Sequence, residues 1–157
     1  MAKIPRLITR MHFMVTIERS ALVGFSCAQM YELVNDVARY PEFMAGCSGA
    51  EILAQDEHTL TARLSLSKAG FQHSFVTRNR LEPPHEMHMQ LVEGPFKHFD
   101  GYWRFKALGD LGCKVSFQLC FEFDSRLLAV AASKLFEKVA SQQVDSLCLR
   151  AQQLYGQ

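Results

Sequence analysis

His85, Glu86 and His88 fall within four consecutive residues, and two imidazoles with a carboxylate between them are raw material for a divalent-cation site. The local pattern argues against that use. Met87, Met89 and Leu91 alternate with His88 and Gln90, as in a strand, where residues i and i+3 point to opposite faces. Exposed histidines at a strand edge, beside the Pro83-Pro84 break, are the expectation. His73 is different, because it stands between Phe71 and Phe75 in another alternating stretch. It is either a polar group inside an apolar space or a histidine satisfied at a sheet margin. No spacing favours a Ser/His/Asp or Cys/His set, and Glu51 and Asp100 read as single solvated acids. Catalytic and metal-binding residues are therefore expected to be absent. Cys27, Cys47, Cys113, Cys120 and Cys148 are odd in number and form no Cys-x-x-Cys pair, which suits small buried thiols in a reducing compartment.

A second kind of chemistry lies in cations. Arg78 and Arg80 share one face of a strand, with Arg63 and Lys68 near by in sequence on a neighbouring one. A continuous outer face carrying Arg63, Arg78 and Arg80 would suit an RNA backbone; the other reading is a solvated sheet face. Aromatic residues do not interleave with these charges as on an RNA stacking platform.

The elements that would position these groups follow from periodicity. A strand is expected at 14–24, then a short helix at 28–34 capped by Ser26 and a second at 37–44. From Glu51 onward the period is two. Leu60, Ala62, Leu64 and Leu66 share a face, as do Phe71, His73, Phe75 and Thr77, and later Phe99, Trp103 and Phe105 lie in an aromatic strand. Cys113, Val115, Phe117, Leu119, Phe121 and Phe123 form the clearest alternation. Residues 125–155 change rhythm. At ~100° per residue, Leu128, Ala132, Leu135, Phe136, Val139, Ala140, Leu147, Ala151 and Leu154 share one side of a long amphipathic helix, with Ser125 as its cap. Arg150, Gln143 and Ser146 fall inside that apolar sector, where Arg150 either snorkels at the helix end or marks a polar rim. The order predicts an α+β helix-grip fold: a curved antiparallel sheet of about six to seven strands around a long C-terminal helix, with two short helices after the first strand.

The bulk numbers fit one domain. The 157 residues are 48% hydrophobic and 21% charged, with 12 Phe, one Trp and a net charge of +1, so no overall field advertises a nucleic acid. Residues 1–12 read as a loose leader before a single domain at 13–157, with Met11 or Met14 as alternative starts. No secretory signal or membrane span is apparent, and a cytoplasmic protein is expected.

Particular words sharpen this reading: Ser20-Ala21-Leu22-Val23, Tyr31-x-Leu33-Val34-Asn35-Asp36-Val37, Tyr40-Pro41-x-Phe43 and Gly46-Cys47 in the first half. Ser67-Lys68-Ala69-Gly70, Thr77-Arg78-Asn79, Glu93-Gly94-Pro95-Phe96, Gly101-x-Trp103-x-Phe105 and Phe121-Glu122-Phe123 follow. In this order, from about Ile17 to Tyr155, they resemble the START-like (polyketide cyclase/dehydrase) superfamily, and within it the bacterial relatives of the mitochondrial coenzyme Q-binding protein. The resemblance implies two roles without catalysis. One is holding ubiquinone or a similar polyprenyl quinone in a sheet–helix cavity in support of respiration, at a location in the cytoplasm or peripheral to the inner membrane. The other, that of the ribosome-association toxins of toxin–antitoxin systems, is binding the large ribosomal subunit and blocking subunit association, with an antitoxin protein as partner. No cofactor is required and no DNA partner is implied. A wide face of Phe, Met and Leu against a helix with several alanines is compatible with the first role, which is the one expected here.

The expected cavity residues are Tyr40, Phe43, Phe71, His73, Phe75, Met87, Met89, Phe96, Trp103, Phe117, Phe121, Leu128, Leu135 and Val139. Within this set His73 is the candidate for a quinone carbonyl, and a plain hydrophobic core is the alternative for the aromatic residues.

Overall fold

The computed structural model describes residues 14–156, so the leader at 1–12 lies outside the described residues. Seven strands run β1 (Val15–Val23), β2 (Cys47–Gln55), β3 (Thr59–Lys68), β4 (Phe71–Glu82), β5 (Glu86–Glu93), β6 (Phe96–Ala107) and β7 (Cys113–Phe123). They form one sheet in the order β1-β7-β6-β5-β4-β3-β2, and every neighbouring pair is antiparallel. Hairpins join β2 through β7 in sequence order, while β1 reaches back to pair with β7. A sheet built this way buries one face only, which is why its strands alternate so cleanly. The residues at alternate positions of β7, from Cys113 to Phe123, are all buried, and each large apolar side chain so buried contributes about 1.5–3 kcal/mol.

Between β1 and β2 lie α1 (Cys27–Asn35), one 3-10 turn (Val37–Arg39) and the single-turn α2 (Tyr40–Phe43). Ser26 caps α1 in a reciprocal capping box with Gln29, satisfying two backbone donors. The second expected helix is thus split. Tyr40 donates its hydroxyl hydrogen to the Val34 carbonyl, locking the turn onto the end of α1. β2 begins at Cys47, earlier than the alternation suggested, because it continues through bulges on either side of its centre.

The C-terminal helical run spans the expected stretch but in two segments, α3 (Arg126–Ser141) and α4 (Gln143–Tyr155), with Gln142 between them. Ser125 does cap α3, accepting from the Leu128 N–H. Neither Gly nor Pro makes the break. Instead, Ser141-Gln142-Gln143 brings polar side chains that compete with the backbone. The Ser141 hydroxyl donates to the Lys138 carbonyl, and Gln143 Nε2 donates to the carbonyls of Val139 (2.8 Å) and Ala45 (3.1 Å). The Gln142 N–H bonds back to Val139 at 3.1 Å, a tightened 3-10-type turn. Among the expected apolar helix positions, Leu128 and Leu135 are half-buried and Leu154 is exposed, while Ala132, Phe136, Val139, Ala140, Leu147 and Ala151 are buried.

A candidate ligand cavity and an outer polar face

Half of the concave sheet face is filled by phenylalanine. The ring of Phe136, on α3, lies 4.7–6.3 Å from those of Phe75, Phe96, Phe121 and Phe123, mostly edge-on or tilted. Phe71 closes on Phe123 at 6.3 Å and on His73 at 4.8 Å. Tilted rings pack well against one another and leave little space. This is why Phe71, His73, Phe96 and Phe121, expected to line a cavity, form or border a packed cluster instead.

The other half of the concave face is not filled. A cavity of about 80 Å³ lies there beneath the α3–α4 junction. Among the expected residues, Tyr40, Phe75, Met89, Trp103, Phe117 and Val139 line it; Phe43, Met87, Leu128 and Leu135 do not. Met87 is wholly buried core, and Phe43 turns away to sit beneath the Arg150 guanidinium, 5.0 Å from ring centre to Cζ. The walls also include Ala62, Leu64 and Leu66 of β3, Phe99 and Leu119, and Phe136 and Ala140 of α3. Gly101 keeps the floor low: a Cβ there would meet Met89 Cε at 2.8 Å and Leu119 Cδ1 at 3.2 Å.

Two lining residues are polar and almost fully buried. Thr77 and Asn79, on β4, are 2% and 4% exposed, and the Thr77 hydroxyl donates to Asn79 Oδ1 at 2.9 Å. Asn79 was missed because polar side chains are expected to face solvent. It stands two residues after Thr77 and four after Phe75, so period-two counting alone assigns it to the inward face.

The cavity wall under the α3–α4 junction is held by hydrogen bonds. Met44, Ala45 and Gln143 belong to it. The Ala45 carbonyl accepts from Gln143 Nε2, and the Ala45 N–H donates to Ser146 Oγ at 3.3 Å. Gly46 permits this close approach, with φ at +73° and a hypothetical Cβ only 2.9 Å from Val139 Cγ1. Gln143 and Ser146, the polar residues of the apolar helix sector, thereby find their use. Arg150 finds another: it is absent from the cavity wall and forms an ion pair with Glu42 at 2.9 Å, tying α4 to α2.

Burial changes the acidity of several groups without creating a reactive one. It pushes the Tyr40 phenol far upward and the Cys47 thiol up. The Cys113 thiol is pushed up to about 12 by burial and by its neighbour Cys27, whose Sγ lies 2.9 Å away. None of these groups is a ready nucleophile at neutral pH.

The outer sheet face departs from expectation at His88 and Asp100. His88 is buried, with Nε2 donating to Asp100 Oδ1 at 2.8 Å and its ring stacked on Tyr102 at 4.1 Å. Asp100 is therefore a partner, not a solvated acid, and His85 lies in the turn before β5. Arg104, outside the cationic set of Arg63, Lys68, Arg78 and Arg80, has its Cζ 4.1 Å from the Tyr102 ring centre. Two of the three candidate RNA contacts are also occupied: Arg63 by Glu51 at 3.1 Å, and Arg80 by Glu82 and Glu86 at 3.9 Å each. Arg78 has no such partner among the described residues. Beside this face, Arg19, Arg104, Lys114 and Glu18 line a polar groove of about 420 Å³.

Comparison with known proteins places this architecture in context. Residues 23–148 match the family model described as polyketide cyclase / dehydrase and lipid transport. Over 144 residues the chain is 46% identical to the ribosome association toxin RatA of Vibrio cholerae, covering 92% of this chain and 100% of that protein. It is 30% identical over 142 residues to the mitochondrial coenzyme Q-binding protein COQ10 homolog B of Xenopus laevis, spanning 87% of this chain but 58% of that one. Among solved structures, the Zhui aromatase/cyclase of Streptomyces sp. R1128 superposes with a TM-score of 0.80 at 17% identity, covering 89% and 94% of the two chains, a likeness of fold alone. The 18 kDa protein CC1736 of Caulobacter crescentus superposes at 0.72 with 28% identity, covering 91% and 99%.

Proposed function

The chain belongs to the polyketide cyclase / dehydrase and lipid transport family, and on that premise we propose that it is a ribosome-association toxin. It binds the large ribosomal subunit in the cytoplasm and blocks joining with the small one, with no reaction catalysed and a protein antitoxin as its natural partner. The observation that carries this reading is the alignment with RatA, 46% identical across the whole of that protein. The outer face supports it chemically. Arg78 and Lys114 are exposed cations without an ion-pair partner among the described residues, suited to phosphate oxygens that position a protein on RNA. Pelleting purified protein with isolated subunits tests the reading. Binding to the large subunit and not the small is the expected result, and no pelleting with either contradicts it.

A second reading rests on the cavity and is compatible with the first, since it uses the inner face of the sheet. A largely apolar space with a buried polar pair in its wall suits the ring of an isoprenoid quinone such as ubiquinone. At about 80 Å³ it is smaller than the ~300–1,000 Å³ of typical ligand sites. A whole quinone therefore requires the cavity to widen. Lipid extraction and mass spectrometry of the purified protein should recover a quinone. Its repeated absence, with no uptake when quinone is supplied, removes this reading along with the respiratory, inner-membrane-associated role it implies.

A further inference from the structure

Asn79 brings an amide with one uncommitted end to the cavity wall. Its carboxamide oxygen is taken by Thr77, yet no described residue accepts from its NH2 group. The side chain is 4% exposed and lines the cavity, whose remaining strand-borne wall is apolar apart from Thr77 and Cys47. The Nδ2 atom is not sealed off: the NH2 group keeps access to open space at the cavity wall, where an occupant or water can receive its hydrogens. Thr77 adds orientation. By donating to Oδ1 it fixes which end of the amide it holds, and so leaves the NH2 end as the group offered to an occupant.

We propose that Asn79 is the recognition group of this cavity and that the occupant is a planar apolar ring bearing a carbonyl, whose oxygen accepts from Asn79 Nδ2. This rests on the ligand-holding reading above and specifies it. His73, the imidazole on β4, is not in the cavity wall and packs at a tilt against Phe71. The aromatic wall of Trp103 and Phe117, with ring centres 4.5 Å apart, supplies the flat apolar contact that such a ring needs. Gln143 does not compete for such an oxygen, because its Nε2 is already committed to Ala45 and Val139.

The test compares two small rings of similar outline on the intact chain, duroquinone and durene (tetramethylbenzene). Binding is followed through the side-chain amide signals of 15N-labelled protein. Wild type should bind duroquinone about tenfold more tightly than durene, the value of one well-made hydrogen bond. The Asn79 NH2 resonance should move downfield with duroquinone only. Asn79→Leu should bind both rings equally, and Thr77→Val, which frees the amide to rotate, should reduce the preference. Equal binding by wild type, or an undiminished preference in Asn79→Leu, overturns the assignment while leaving the ligand-holding reading intact. Equal binding would also mean that the amide serves only water. No saturable binding of either ring overturns both. The wild-type comparison needs no variant, so a misfolded substitution does not protect the proposal.

Discussion

Replacing Thr77 by Val and Asn79 by Leu together should make the ligand-free protein more stable. The two substitutions keep side-chain volume nearly constant and remove the polar pair from the cavity wall. Their mutual hydrogen bond, 2.9 Å long, contributes about 1 kcal/mol net, and replacing both partners by apolar groups of similar shape is close to neutral. The Asn79 amide, 4% exposed and hydrogen-bonded through its oxygen, is partly desolvated at a cost of about 0.5–2 kcal/mol, and that cost disappears. The expected gain is therefore about 0.5–2 kcal/mol, which for a chain of this size is a rise of roughly 1–8 °C in Tm. Thr77→Val alone should go the other way by about 1 kcal/mol, because it strips Asn79 Oδ1 of its donor while the amide stays buried. The two effects are thus strongly non-additive. Urea unfolding of delipidated protein, followed by the fluorescence of its one tryptophan, Trp103, and by far-UV circular dichroism, measures both. A loss of more than about 2 kcal/mol in the double variant would refute the reasoning, since the pair would then be a satisfied part of the core.

Four further outcomes follow from the same geometry. Phe136→Ala removes a ring that meets those of Phe75, Phe96, Phe121 and Phe123, and should cost about 3–5 kcal/mol in urea unfolding. Gly46→Ala places a Cβ at φ +73° and 2.9 Å from Val139, so a destabilisation above about 1 kcal/mol is expected, with wild-type stability as the contrary result. Cys113 and Tyr31 are both held neutral by burial, each pushed up to about 12. Unfolding lets them ionise near their ordinary values, so their contribution is intact below pH 9 and drains away as pH climbs toward 12; urea midpoints that stay flat from pH 8 to 11 would contradict this. Finally, Arg78→Glu or Lys114→Glu should weaken pelleting with large subunits severalfold and lower its salt dependence by about one counterion, with Trp103 fluorescence unchanged.

The strand pattern was readable because a sheet with one wet face must alternate, and Cys113 to Phe123 does so without exception. The helix break was not, because it arises from Gln143 reaching Ala45, a residue 98 positions away in sequence. Cavity residues were only half legible for a related reason. Periodicity tells which face Phe96 and Phe121 occupy, but not that Phe136 and its neighbours fill their half of the concavity and leave the space beside Trp103. His88 and Asp100 sit on adjacent strands, so their pairing depended on register that hydrophobicity alone does not supply. Asn79 was within reach: a polar residue in step with Thr77 and Phe75 is an inward-facing exception, and such exceptions mark sites. Residue chemistry alone favours a quinone carrier, whereas the likeness to RatA across that protein's whole length favours ribosome association.

Sucrose-gradient profiles of a bacterial extract, with and without the purified protein added before subunit joining, test that claim most directly. A smaller peak of joined ribosomes, a rise in free subunits, and the protein travelling with the large one are expected. An unchanged joined-ribosome peak, with the protein left at the top of the gradient, would contradict it.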